Sequence, residues 1–90
     1  MTVNELAIKM AEIFIEDYIK DGDFDDFKSM IRCYGYDSQD IKDEVLYNMN
    51  YYSDNFADDG DYIGEEFVTY KSFMKKVYAE LDKRGMYNRE

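Results

Sequence analysis

The stretch Thr2–Lys20, TVNELAIKMAEIFIEDYIK, decides how the rest of the chain is read. Thr2 followed three residues later by Glu5 is a capping-box pattern, in which each side chain satisfies the other residue's unpaired backbone N–H, so a helix starts here. Leu6, Met10, Ile13/Phe14 and Tyr18 then recur at three-to-four-residue spacing. Ile8, Ala11, Ile15 and Ile19 widen the stripe, which predicts the most deeply buried helix of the fold. The helix is expected to end near Lys20, with Gly22 taking the left-handed cap conformation.

The same periodicity returns three times. Asp23 reads as the cap of a shorter helix with Asp25 and Asp26 in its first turn, where the helix dipole favours negative charge, and with Phe24, Phe27, Met30/Ile31 and Tyr34 as its apolar face. Gly35 ends it, and Tyr36 takes the hydrophobic position of a Schellman motif. Asp37 or Ser38 caps a third helix carrying Ile41, Val45, Met49 and Tyr52; the run Tyr47–Tyr52 has mediocre helix propensity and leaves its end open. Phe67, Tyr70, Phe73/Met74, Val77 and Leu81 form the last stripe, which closes at Gly85 with Lys83 and Arg84 in its final turn. Gly64 and Thr69 both qualify as its start, so Glu65–Thr69 reads as either helical or extended. No proline occurs and no segment alternates with period two over more than a few residues. The expected fold is all-α, a small bundle of about four helices in one acidic domain over residues 1–90, with an α+β arrangement containing a short hairpin as the alternative.

Composition narrows the function. Of the 90 residues, 46% are hydrophobic and 18% aromatic, including ten Tyr and six Phe, enough for an aromatic core and unlike a disordered acidic tail. The formal charge is −10, from 21 acids and 11 bases, and it is uneven: Met1–Tyr70 holds 18 acids and 5 bases, a net of −13, whereas Lys71–Glu90 holds 3 acids and 6 bases, a net of +3. Affinity for DNA or RNA rests on Lys and Arg neutralising phosphates, so direct nucleic-acid binding is disfavoured, as is an anionic membrane surface. The single Cys33 permits no internal disulfide, which fits a reducing cytoplasm, and at an apolar helical position it reads as packing. With no His in the chain, a Cys-His dyad is impossible. Asn4, Glu5, Lys9 and Glu12 interrupt the first apolar residues, which therefore form neither a signal peptide nor a membrane span.

The densest acidic stretch, Ser53–Glu66, holds Asp54, Asp58, Asp59, Asp61, Glu65 and Glu66 and no base. Its Asp59-Gly60-Asp61 resembles part of an EF-hand loop, but the register fails. With Gly60 at the sixth position, Ala57 falls at the third; with Gly64 there, Tyr70 falls at the twelfth, where a bidentate carboxylate is needed. There is no Gly-rich phosphate loop and no nucleophile elbow, and the acids fall mostly in caps, loops and faces opposite the apolar stripes. The expectation is a binder, not an enzyme, with no catalytic residue, metal site or cofactor.

Carboxylates on neighbouring helix turns lie about 6 Å apart, a spacing suited to a groove built for phosphates. Glu12, Glu16, Asp17, Asp21, Asp23, Asp25 and Asp26 make one such row, Asp37, Asp40, Asp43 and Glu44 a second, and Asp54, Asp58, Asp59, Asp61, Glu65 and Glu66 a third. Tyr47, Tyr51, Tyr52 and Tyr62 lie among them, and of these Tyr51 and Tyr62 are taken as contact residues with the acids. In acidity and tyrosine content the chain resembles the small acidic anti-CRISPR and anti-restriction proteins of phages and mobile elements, several of which imitate DNA. That resemblance implies a stoichiometric inhibitor in the host cytoplasm, whose patches occupy the basic nucleic-acid-binding groove of a defence complex such as a CRISPR effector or restriction enzyme. The basic last helix departs from a uniformly acidic mimic: Lys71, Lys75 and Lys76 could pair with acids of the chain itself or of a second copy, or could touch a different surface of the target. The alternative is a small helical interaction or regulatory module, in some arrangements a homodimer, whose acids serve solubility.

Overall fold

The computed structural model describes residues 1–89. It holds four α-helices, α1 (Val3–Ile13), α2 (Phe27–Tyr34), α3 (Ser38–Met49) and α4 (Tyr70–Lys83). A π-helical segment, Phe14–Lys20, prolongs α1, and a small antiparallel hairpin of β1 (Tyr62–Ile63) and β2 (Phe67–Val68) precedes α4. The helical bundle is thus as expected, with the hairpin of the alternative added in miniature.

The capping box at α1 forms: the Glu5 N–H donates to Thr2 Oγ1 at 3.1 Å and the Thr2 N–H donates to Glu5 Oε1 at 2.8 Å. Val3, Leu6, Ala7, Met10 and Ala11 then face inward, mainly against α4, whose Phe73, Val77 and Leu81 are fully buried. Ile8 does not join this face and is 40% exposed. Past Ile13 the helix widens. Hydrogen bonding there runs from i to i+5, and Phe14, Ile15 and Ile19 of this segment are all buried. The Phe14 ring packs edge-on to Tyr18 at 5.3 Å and to Phe27 at 5.0 Å, which couples the widened turn to α2.

The widened turn also shifts the helix end by one residue. The left-handed position is Asp23 (φ 61°), not Gly22, with the Phe24 N–H donating to Ile19 O at 2.8 Å and the Asp23 N–H to Lys20 O at 3.1 Å. Gly22 is required for a different reason: a Cβ there would lie 2.4 Å from the Phe24 ring. Asp23 therefore closes the first helix, and Asp26 caps α2 through the Ser29 N–H at 2.7 Å. Within α2 only Phe27 and Met30 are buried; the helix is short and half-exposed, so Cys33 faces solvent instead of packing, and Tyr34, 48% exposed, packs only at the surface against the Phe24 and Tyr36 rings, each at 5.3 Å.

The remaining ends follow local rules. Gly35 (φ 70°) and Gly85 (φ 69°) close α2 and α4 in Schellman pattern, with the Tyr36 N–H on Ile31 O and the Met86 N–H on Leu81 O. Asp37 and Asp40 form a reciprocal capping box on α3, which buries Ile41, Val45 and Met49 and stops at Met49, leaving Tyr52 44% exposed under Lys9. Thr69 caps α4 by accepting from the Ser72 N–H, so residues 65–69 are not helical: Glu65 and Glu66 lie in the bend of the hairpin, and Phe67–Val68 forms its second strand, leading into the extended cap. Beyond α4, Met86 and Tyr87 give their carbonyl oxygens to the N–H groups of Phe27 and Lys28, at 2.8 and 3.1 Å, and so occupy first-turn donors of α2 that have no partner within the helix.

Candidate interaction surface

Each acidic row is a mixture of carboxylates that hold the fold and carboxylates that face water. In the first row Glu16, Asp17, Asp21, Asp23 and Asp25 are exposed along the π-helical segment and the turn after it. Asp26 is not: it is 1% exposed, with one carboxylate oxygen on the Ser29 N–H and the other accepting from the Arg89 N–H at 2.8 Å. Burial pushes its carboxyl upward, but the hydrogen bonds from Arg89 and Ser29 outweigh that and hold it below the ordinary carboxylate value. Asp26 is thereby removed from the expected contact set. Glu12 is committed as well, pairing with Arg84 at 3.5 Å.

The second row divides the same way. Asp37 and Asp40 serve the α3 capping box, Asp43 accepts from the Gln39 amide at 2.9 Å, and Glu44 accepts from the Tyr36 hydroxyl at 3.2 Å. Asp40 and Glu44 are half-buried and Asp43 is exposed. Beside them Asn48 donates to the Tyr18 hydroxyl at 2.9 Å and to Glu44 O at 2.7 Å, tying α3 to the π-helical segment. Burial, more than the Asn48 bond offsets, raises the Tyr18 phenol above its usual value.

The third row is folded into a compact loop by its apolar members. Phe56 sets its ring against Tyr62 at 5.4 Å and Phe73 at 5.1 Å, and pairs with Tyr62 in a short β-bridge, so Tyr62 is 5% exposed and unavailable as a contact. Asp61 is half-buried and accepts from the Tyr70 N–H at 2.8 Å, which positions the start of α4. Gly60 (φ 94°) lets the Tyr70 ring lie where a Cβ would be 2.6 Å away. Asp54, Asp58, Asp59, Glu65 and Glu66 project outward from this frame. Glu65 and Glu66 also line, with Glu5 and Asn55, an open cavity of about 620 Å³ between the start of α1 and the hairpin.

Of the sixteen residues expected to make contact, ten carboxylates are exposed: Asp17, Asp21, Asp23, Asp25, Asp43, Asp54, Asp58, Asp59, Glu65 and Glu66. Among the described residues none of the ten forms an ion pair. Tyr51 is 75% exposed, with its ring edge-on to Tyr47 at 6.0 Å beyond the end of α3. Two surface features, one exposed and one a half-buried groove, were not read from the sequence as contact sites. Ile63 and Phe67 are cross-strand partners that both face solvent, and Tyr70, Met74 and Tyr78 line an apolar groove against α3. Helical spacing with lysines alongside was the available signal for the groove; strands of two residues leave none for the hairpin pair.

No group of three or more Asp, Glu or Cys among the described residues converges as a metal cage. No described helix is long and apolar enough to cross a membrane. No protein-family model matches the chain, and no curated protein or solved structure is significantly similar to it.

Proposed function

We propose that this protein is a stoichiometric inhibitor that lays an acidic surface into the basic nucleic-acid-binding groove of another protein, a host defence complex such as a CRISPR effector or restriction enzyme being the kind of target it suits. The observation that carries this reading is the set of ten exposed carboxylates that form no ion pair among the described residues, carried by helices, the turn after the π-helical segment and a pinned loop. Unpaired like charges on one small body cost self-repulsion, a cost that a cationic partner removes. The inhibitor acts in the host cytoplasm, where such targets work.

Two charge reversals test the reading against a purified defence nuclease that the protein inhibits. One variant carries Asp17, Asp21 and Asp23 as Lys; the other carries Asp54, Asp58 and Glu66 as Lys. Asp26, Asp59 and Asp61 are spared because each holds a backbone N–H. Inhibition should compete with duplex DNA, weaken steeply with added salt, and fall at least about tenfold in one of the variants. Inhibition that neither variant changes and salt does not weaken rejects the mimic.

The exposure of Tyr47 (63%) and Tyr51 (75%) supports a second reading, a helical interaction module whose aromatic pair is the anchor and whose acids keep it in solution. Replacing both tyrosines by Ala should then abolish binding that the charge reversals leave intact.

A further inference from the structure

The groove between the start of α3 and the outer face of α4 has the opposite character to the rest of the surface. Its floor is Ile41 with Tyr70, Met74 and Tyr78, the last three at i, i+4 and i+8 of α4, and its volume is about 330 Å³. Lys71 and Lys75 form the rim, one turn apart. Neither lysine has an ion pair among the described residues, in a chain with 21 acids. On the α3 side Asp37 and Asp40 are occupied by their capping box and Asp43 by Gln39, while Lys42 sets its ammonium 4.8 Å over the Tyr70 ring. The Tyr70 and Tyr78 hydroxyls make no hydrogen bond among the described residues, and burial raises both above the ordinary phenol value, so they remain protonated donors at neutral pH.

We infer that this groove receives an acidic amphipathic helix of a partner protein, its apolar side chains seated along Tyr70, Met74 and Tyr78 and its carboxylates over Lys71 and Lys75. The floor runs eight residues along α4, about 12 Å or two helical turns, which matches the i, i+4, i+7 anchors of a helix laid in a groove. The groove is open along its length, so a small ligand would keep much of its surface in water, whereas a helix covers it. A second copy of this chain is a poor occupant. Two-fold pairing through α4 would set Lys71, Lys75 and Lys76 against their own copies, like charge on like charge. The site is separate from the acidic rows and stands or falls independently of the inhibitor reading.

The test is a selection from a display library of random helical peptides of about 14 residues against the intact protein, followed by fluorescence anisotropy of the enriched peptides. The comparison variants are Lys71→Glu with Lys75→Glu, and Lys76→Glu as a control on the same helix away from the groove; all three lysines are exposed, so the fold is retained. The expected winners carry apolar residues at i, i+3 or i+4, and i+7, with a flank of Glu or Asp. Their affinity should drop at least about tenfold in the double variant and less than about threefold in the control. The inference is overturned if nothing is enriched, if the winners are basic, or if the double variant and the control bind alike. It is also overturned if sedimentation shows self-association that the double variant abolishes, because the occupant would then be a second copy.

Discussion

Replacing Asp26 separates two jobs that one buried carboxylate performs. In Asp26→Asn one oxygen remains to accept from the Ser29 N–H, but an amide NH2 now meets the Arg89 N–H, donor against donor. Loss of a hydrogen bond to a charged acceptor costs about 1.5–3 kcal/mol. In Asp26→Ala the α2 cap goes too, adding about 0.5–2 kcal/mol, for a total of about 2–5 kcal/mol. Against a whole-domain stability of about 5–15 kcal/mol these are large losses. At about 4–8 °C per kcal/mol, the Asn variant alone should melt at least about 6 °C below the parent. Urea titration followed by circular dichroism gives the free energies. The folded carboxyl lies below its usual value, so its contribution is present above the unfolded pKa, about 3.9, and is lost as pH falls through the folded value. The difference between parent and Asn variant should therefore shrink as pH drops below about 4. An Asn variant within about 0.5 kcal/mol of the parent at neutral pH, or a gap that stays constant into acid, would refute the assigned role of Asp26 and the docking of residues 86–89.

Three further outcomes are expected. Asp23→Gly removes the side-chain penalty of a left-handed residue at φ 61° and should raise stability by about 0.5–1 kcal/mol, read as a higher melting temperature; a lower one argues against the shifted helix end. Gly22→Ala drives a methyl into the Phe24 ring and should cost about 1–3 kcal/mol in the same urea assay, with a neutral effect contradicting the close approach. Tyr18→Phe leaves the Asn48 amide with one acceptor fewer between α3 and the π-helical segment, for a loss of about 0.5–1.5 kcal/mol. An ultraviolet titration of parent against this variant should show one missing phenol ionising above the ordinary tyrosine value, because burial raises it.

What the sequence determined by itself is what acts over three or four residues or sums over the whole chain. The Thr2–Glu5 capping box, a cap at Asp37 or Ser38 and the glycines at 35 and 85 are legible because each donor and acceptor sits within one turn of its partner; the structure settles the cap on Asp37. The apolar stripes of the helices are legible because helical periodicity alone puts them on one face. The sign of the charge and its uneven division are plain sums over the chain. Tertiary structure decided everything that needed a distant neighbour. Asp26, not Asp23, caps α2, and residues 86–89 arrive there from the far end of the chain to take its second oxygen and bury it. The π-helical form of Phe14–Lys20 has no signal in the local spacing, which reads as ordinary helix, and the segment packs on α2 through Phe14 against Phe27. In Ser53–Glu66 the sequence showed six equivalent acids, and packing made them unequal: Phe56 and Phe73 buried Tyr62, Asp61 was drawn in to hold Tyr70, Asp59 accepts from the Asp61 N–H while remaining exposed, and Asp54, Asp58, Glu65 and Glu66 face water. A carboxylate's type fixes that it can accept a hydrogen bond; only the fold fixes whether a backbone N–H or the solvent supplies it.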